Sequence, residues 1–224
     1  SKLRVAVIGC GRISVTYAQA FRELQEEVQV CFAVDKVKER AQAFAQQFPG
    51  CGWSDRYQDL LDARPDVVHV CTPHFLHKEH VCRALRAGCH VLTEKPIALS
   101  IADAEEMMRT ARESGRQLWV ISQNRYIDGI REAKRLLDSG ALGRVTGAWS
   151  TLNWHRPPSY YECDWKGSWE KEGGGVVIDQ AIHSIDLVRY LMGCEVESIQ
   201  AQIDRRVLTS IEVEDVANAA IRFA

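Results

Sequence analysis

The first 124 residues are built from short apolar runs separated by amphipathic stretches. The runs at 3–8, 28–34, 66–71, 91–93 and 118–122 are continuous rather than alternating. That is the pattern of strands covered on both faces. Segments 12–26, 38–48, 57–63, 76–87 and 100–114 carry helical spacing. Ser100, with Asp103 three positions on, is a variant of the capping box, and Gly88 stops the helix before it. Strand and helix alternate throughout the stretch before residue 125. This alternation predicts an α/β domain with a parallel, doubly wound sheet.

The rhythm changes near residue 125. A helix is predicted over 127–138, ended by Ser139 and Gly140. A long strand is predicted over 144–154, an irregular aromatic-rich stretch over 155–175, and a helix over 178–192 stopped by Gly193. Extended segments follow at 196–206 and 213–223. The reading is a first domain over 1–124 and a second, α+β domain over 125–224. The last residues lie inside an apolar strand, an edge that domains usually cover, so the second domain is expected to be C-terminally truncated.

Composition narrows the class of function. A net charge of -2 without a long basic run gives no footprint for nucleic acid. No run approaches the ~18 apolar residues of a membrane helix, and the start of the chain has no signal-peptide pattern. Of the eight cysteines, Cys10, Cys31 and Cys71 fall within or beside predicted strands and Cys82 and Cys89 within or beside a helix; with no CxxC pair, the eight read as reduced thiols of a cytoplasmic protein.

Gly9, Gly11 and Ser14 form a G-x-G-x-x-G motif with serine in the third place, set between a strand and a helix. The first glycine permits the turn, and the second lets backbone approach a pyrophosphate at the helix N-terminus. Asp35 ends the second strand, where a carboxylate accepts from the adenosine ribose hydroxyls and repels a 2′-phosphate. This favours NAD over NADP, although Lys36, Lys38 and Arg40 soften the preference. Thr72 and Pro73 follow another strand and are expected beside the nicotinamide ribose, with His77 lining the cofactor. His74, His77 and His80 lack an acid or cysteine at ligand spacing, so no metal is expected. Glu94, Lys95 and Pro96 end the 91–93 strand. Asp179 and His183 open a helix after Gly173, Gly174 and Gly175. A lysine, an aspartate and a histidine meeting at one cofactor would place proton-transfer groups beside a hydride carrier. At i and i+4, Asp179 and His183 share a helical face. Gln123 is a candidate nicotinamide contact and Tyr126 a neighbour at the domain junction. His155, Trp165 and Lys166 belong to an aromatic and polar stretch that suits a sugar.

Together these segments resemble the Gfo/Idh/MocA oxidoreductase family. The resemblance rests on Gly9-x-Gly11-Arg12-Ile13, Thr72-Pro73, the run from His90 through Glu94-Lys95-Pro96, and the run from Gly173 through Asp179, His183 and Asp186. It implies an N-terminal Rossmann domain and a C-terminal domain with an open, mainly antiparallel sheet that mediates a homodimer or homotetramer. It implies cofactor contacts from Arg12, Ile13 and Glu94, and Lys95 at the substrate hydroxyl and nicotinamide. Asp179 and His183 match the family's later pair. His183 is read as general base and Asp179 as the group that orients substrate, although which of the three takes the proton stays open. Trp165-Lys166-Gly167 resembles a family segment near the active site. The implied activity is NAD(H)-dependent oxidoreduction of a secondary alcohol on a sugar, sugar derivative or cyclitol. Two alternatives remain: a glycoside hydrolase using transient oxidation, and a non-catalytic dinucleotide-binding regulator.

Overall fold

The computed structural model describes residues 2–224. Two compact units result, one ending at Ile121 and the other spanning Ser122–Ala224.

The first unit is a six-stranded parallel sheet. Its strands are β1 (Leu3–Ile8), β2 (Val28–Val34), β3 (Gly52–Ser54), β4 (Val67–Val70), β5 (His90–Thr93) and β6 (Leu118–Val120), in the order β3-β2-β1-β4-β5-β6. The helices are α1 (Ser14–Glu23), α2 (Lys38–Ala45), α3 (Tyr57–Asp62), α4 (His77–Arg86) and α5 (Ile101–Ser114). Both sheet faces are covered, which is why the strands are apolar throughout. One core joins Ala6, Ile8, Val68 and Val70 to Leu60, Val81, Leu85 and Met107. The other joins Val7, Val30 and Ala33 to Ala18 and Phe44. The capping prediction holds at α5: Ser100 Oγ accepts from Asp103 N at 3.1 Å, and Gly115 closes the helix in the left-handed conformation. Strand β3 was not assigned from sequence. It is three residues long and pairs only with β2, too short to show a period.

The second unit holds α6 (Asp128–Asp138), a 3₁₀ turn at Pro158–Tyr161, a π-helical turn at Val177–Ala181 leading into α7 (Ile182–Met192), and an antiparallel pair, β7 (Val196–Asp204) and β8 (Val216–Phe223). Two expectations are corrected. Residues 144–154 form no strand, since β7 and β8 pair with each other and neither pairs with that stretch. A strand is defined by its ladder, and apolar alternation without a partner edge does not make one. The first turn of the helix predicted over 178–192 is π rather than α, an insertion common at functional sites.

Candidate active site

In the first unit, register puts four chain turns on one edge. Ile8 pairs with both Val34 and Val70, and Val70 pairs with Thr93. The residues that follow these strand ends are Gly9, Asp35, Cys71–Thr72 and Glu94–Lys95. Strand order reverses between β1 and β4, and at such a switch point a doubly wound sheet opens a crevice at its carboxyl edge.

Backbone contact there is close. Gly9 has φ +92°, and a Cβ on it would lie 2.6 Å from the Cys71 carbonyl carbon and 2.8 Å from Thr72 N. No other residue type fits. A Cβ on Gly11 would meet nothing within 4 Å, which leaves room before the N-terminus of α1, where backbone N–H groups favour an anion. Ser14, at the third glycine position, is buried and donates to Gly11 O at 2.6 Å. Its small size keeps α1 close to the sheet. Asp35 is buried too. Its Oδ2 accepts from Cys10 N at 2.8 Å and its Oδ1 from Val37 N at 2.9 Å. The carboxylate therefore ties the end of β2 to the glycine turn, a long-range contact that spacing alone did not show. Burial, reinforced by Asp35, pushes the Cys10 thiol up to about 12, so it stays an unreactive thiol. Such a donor set fits a dinucleotide: a glycine turn with open space before a helix N-terminus, and a carboxylate at the end of β2.

Glu94 is 8% exposed. Tyr17 OH donates to its Oε1, and Lys95 N donates to its Oε2 at 3.1 Å. Tyr17 is held well above its ordinary value by burial and by Glu94, so it remains a donor. Lys95 is half-buried, and the Lys95–Pro96 peptide is cis. Tyr17 was not singled out in the sequence; it lies 77 residues from Glu94 and carries no local signal of that contact. His77 was expected to line the cofactor. His77 is fully buried, with Nδ1 2.8 Å from Pro96 O and Nε2 2.9 Å from Thr72 O. It struts the β4 turn against the Glu94–Pro96 turn. Burial lowers its pKa, while the two carbonyls pull the other way. Thr72 Oγ1 lies 3.2 Å from His80 Nδ1. Arg12 and Ile13 are exposed beside the glycine turn.

In the second unit a charged cluster surrounds Asp179. Its Oδ2 accepts from Tyr160 OH at 2.7 Å, Lys166 Nζ at 2.9 Å and Gln180 Nε2 at 3.0 Å. Lys166 also donates to Glu172 Oε1 at 3.0 Å, and Glu172 Oε2 accepts from Gly167 N. Burial alone would lower the Lys166 ammonium, but Asp179 and Glu172 outweigh it and hold the pKa above its usual value. Burial pushes the Glu172 carboxyl up. Lys166, expected near the substrate, has a side chain 9% exposed and paired with two carboxylates. His183, in the first turn of α7, is half-buried. Glu214, whose role the sequence did not show, accepts from Gly175 N at 2.9 Å and Val177 N at 3.0 Å, and its own carbonyl receives Val176 N at 3.0 Å. It caps the turn that carries Asp179. Gln123 and Tyr126 lie exposed on the 3₁₀ turn at the start of this unit, His155 is exposed, and Trp165 is half-buried with Lys166 Nζ 4.5 Å over its ring.

Residues 3–122 match the family described as an oxidoreductase family with an NAD-binding Rossmann fold, and residues 130–224 match the GFO/IDH/MocA C-terminal domain. The chain belongs to the Gfo/Idh/MocA family. It is similar to D-glucoside 3-dehydrogenase of Escherichia coli strain K12, 33% identical over 93% of this chain and 60% of that one. It is 35% identical to 2,7-anhydro-N-acetylneuraminate hydratase of Mediterraneibacter gnavus over 84% of this chain and 49% of that one. Among solved structures, the WlbA dehydrogenase of Bordetella pertussis in complex with NADH and UDP-GlcNAcA superposes with a TM-score of 0.90 at 31% identity, covering 100% of this chain and 68% of that one. The chain spans 60% and 49% of the lengths of the two curated relatives.

Proposed function

We propose that the protein is an NAD(H)-dependent oxidoreductase acting on a secondary alcohol of a sugar, sugar derivative or cyclitol. The observation that carries this reading is the Asp179 cluster in a family whose first domain is described as NAD-binding. A carboxylate with three donors on one oxygen is fixed in place. Asp179 therefore orients a substrate hydroxyl, and His183 takes the proton. Lys95 offers an ammonium to the substrate oxygen as it loses that proton, which favours the developing alkoxide. NAD, when bound, supplies the hydride acceptor. Gly9, Gly11, Arg12 and Ile13 would hold its pyrophosphate, Asp35 its adenosine ribose, and Thr72, Pro73 and Glu94 the nicotinamide side; Gln123 is a further candidate contact. Tyr126, His155 and Trp165 are candidate sugar contacts. Relatives named as dehydrogenases of glucosides and inositols support the substrate class.

The same reading assigns the domains to 1–124 and 125–224 and places the protein in the cytoplasm, where its eight free cysteines would stay reduced. A second copy of the chain would pack on one face of the β7–β8 pair, where Ile199, Ala201 and Ile203 face Ile221, Ala219 and Ala217.

The test is a screen of sugars and cyclitols with NAD and NADP, following net formation of reduced nicotinamide. Turnover with NAD that Lys95→Ala abolishes while NADH still binds supports the assignment. Cleavage of a glycoside without net NADH would point to the hydrolase alternative. Binding of NAD without turnover of any sugar would point to the regulator.

A further inference from the structure

One cation near the Asp179 cluster is braced by aromatic rings rather than by an acid. The Arg156 guanidinium lies over the ring of Trp154, 5.0 Å from its centroid, and over the ring of Tyr160, 4.8 Å from its centroid. Its Nε is buried without a hydrogen-bond partner. Among the described residues no carboxylate pairs with it. A buried N–H donor left unmade is costly, and an arginine stacked on aromatic rings keeps its fork of donors for a planar anion. Tyr160 links this arginine to the site, since its hydroxyl donates to Asp179 at 2.7 Å. The other cation over the Tyr160 ring, Lys166 at 4.4 Å, is already held by Glu172 and Asp179.

We propose that Arg156, braced by Trp154 and Tyr160, is a specificity residue for a carboxylate on the substrate, so that the sugar taken is an acidic one such as a uronate. The inference rests on the sugar-oxidising reading above and deepens it. A carboxylate fits better than a phosphate ester. One guanidinium matches one negative charge and a planar pair of oxygens, whereas a phosphate monoester carries nearly two charges and the neighbouring ammonium is already paired.

Calorimetric binding of glucuronate, glucose 6-phosphate and glucose to the NADH-loaded protein tests this, together with initial rates on the same three sugars with NAD. The expected result is preference for glucuronate over both others. Arg156→Gln should lower glucuronate affinity about 10- to 100-fold and reduce the glucuronate-to-glucose ratio. Arg156→Lys, which keeps the charge but not the fork, should recover only part of it. Equal affinity for glucuronate and glucose overturns the proposal. So does an equal loss on both sugars in Arg156→Gln, which would assign Arg156 to the charge balance of Lys166, Glu172 and Asp179. Preference for glucose 6-phosphate overturns the choice of carboxylate. Glucuronate bound selectively without NADH formation from any sugar would sink the dehydrogenase reading and leave the subsite standing.

Discussion

At the scale of single residues, two buried side chains carry consequences that their types alone do not announce. His69 in β4 is 1% exposed, its ring meets Tyr17 edge-on at 4.1 Å, and neither ring nitrogen has a partner. Burial lowers its pKa to about 4 from 6.5, and burial also brings His80 to about 4. Between these values the unfolded chain binds protons that the folded chain refuses. Stability is therefore fully present above pH 6.5 and is lost as pH falls toward 4, on the order of 3 kcal/mol for His69. Replacing His69 with Leu removes two unsatisfied atoms at similar volume. It should raise stability by about 1 to 2 kcal/mol at neutral pH and flatten the acid limb, as thermal unfolding at several pH values would show. Unchanged acid sensitivity would move the cause elsewhere. Asp35 is the other case. Asp35→Ala removes the proposed ribose acceptor and the tie to Cys10 N together, so NADH should weaken about tenfold more than NADPH in a fluorescence titration. Equal weakening would assign Asp35 to the turn alone. The glycine motif and Asp35 were legible in the sequence because strand, turn and helix are contiguous. Tyr17, His69 and Glu214 were not, because each acts across the fold.

At the scale of elements, the glycine run before Asp179 has a physical cause in another segment. A Cβ on Gly175 would lie 1.9 Å from Glu214 O, which is backbone and cannot swing away. Gly175→Ala should therefore displace the capped π-turn and cost more than about 3 kcal/mol. Urea unfolding measures the loss, and a cost below 1 kcal/mol would show that the turn relaxes freely. The sequence marked this place by three successive glycines. It did not identify the occupant of the space they leave, since Glu214 is 39 residues from Gly175. Secondary structure was predicted well where an element is long and regular, as at α5, α6 and β2. It failed at residues 144–154, where extended propensity is present but no partner strand completes a ladder.

For the whole molecule, the two units are stabilised differently. The first has apolar cores on both sheet faces. In the second, Ile211 and Val213 are the apolar side chains classed as buried among the described residues, while Glu172, Asp179 and Glu214 are buried acids. Its order therefore depends on charge pairing. Lys166→Met strands two buried carboxylates and should destabilise the second unit by about 3 to 5 kcal/mol. A loss under 1 kcal/mol in chemical denaturation would mean that the acids take up protons or water instead. Hydrogen exchange should be slowest in β1, β4 and β5 and faster in β7 and β8, every residue of β7 being exposed and the pair having no third strand among the described residues; comparable protection would contradict this division. The sequence by itself determined the alternating strands and helices, the glycine turn, the acid at the end of β2 and the identity of the polar groups, because all of these are written in local spacing. Only the tertiary structure decided that His77 and Lys166 are internal struts, that Tyr17 supports Glu94, and that Asp179 is fixed by three donors. Burial and hydrogen bonding between distant segments come into being only when the chain closes on itself, and no local pattern encodes which distant group will arrive.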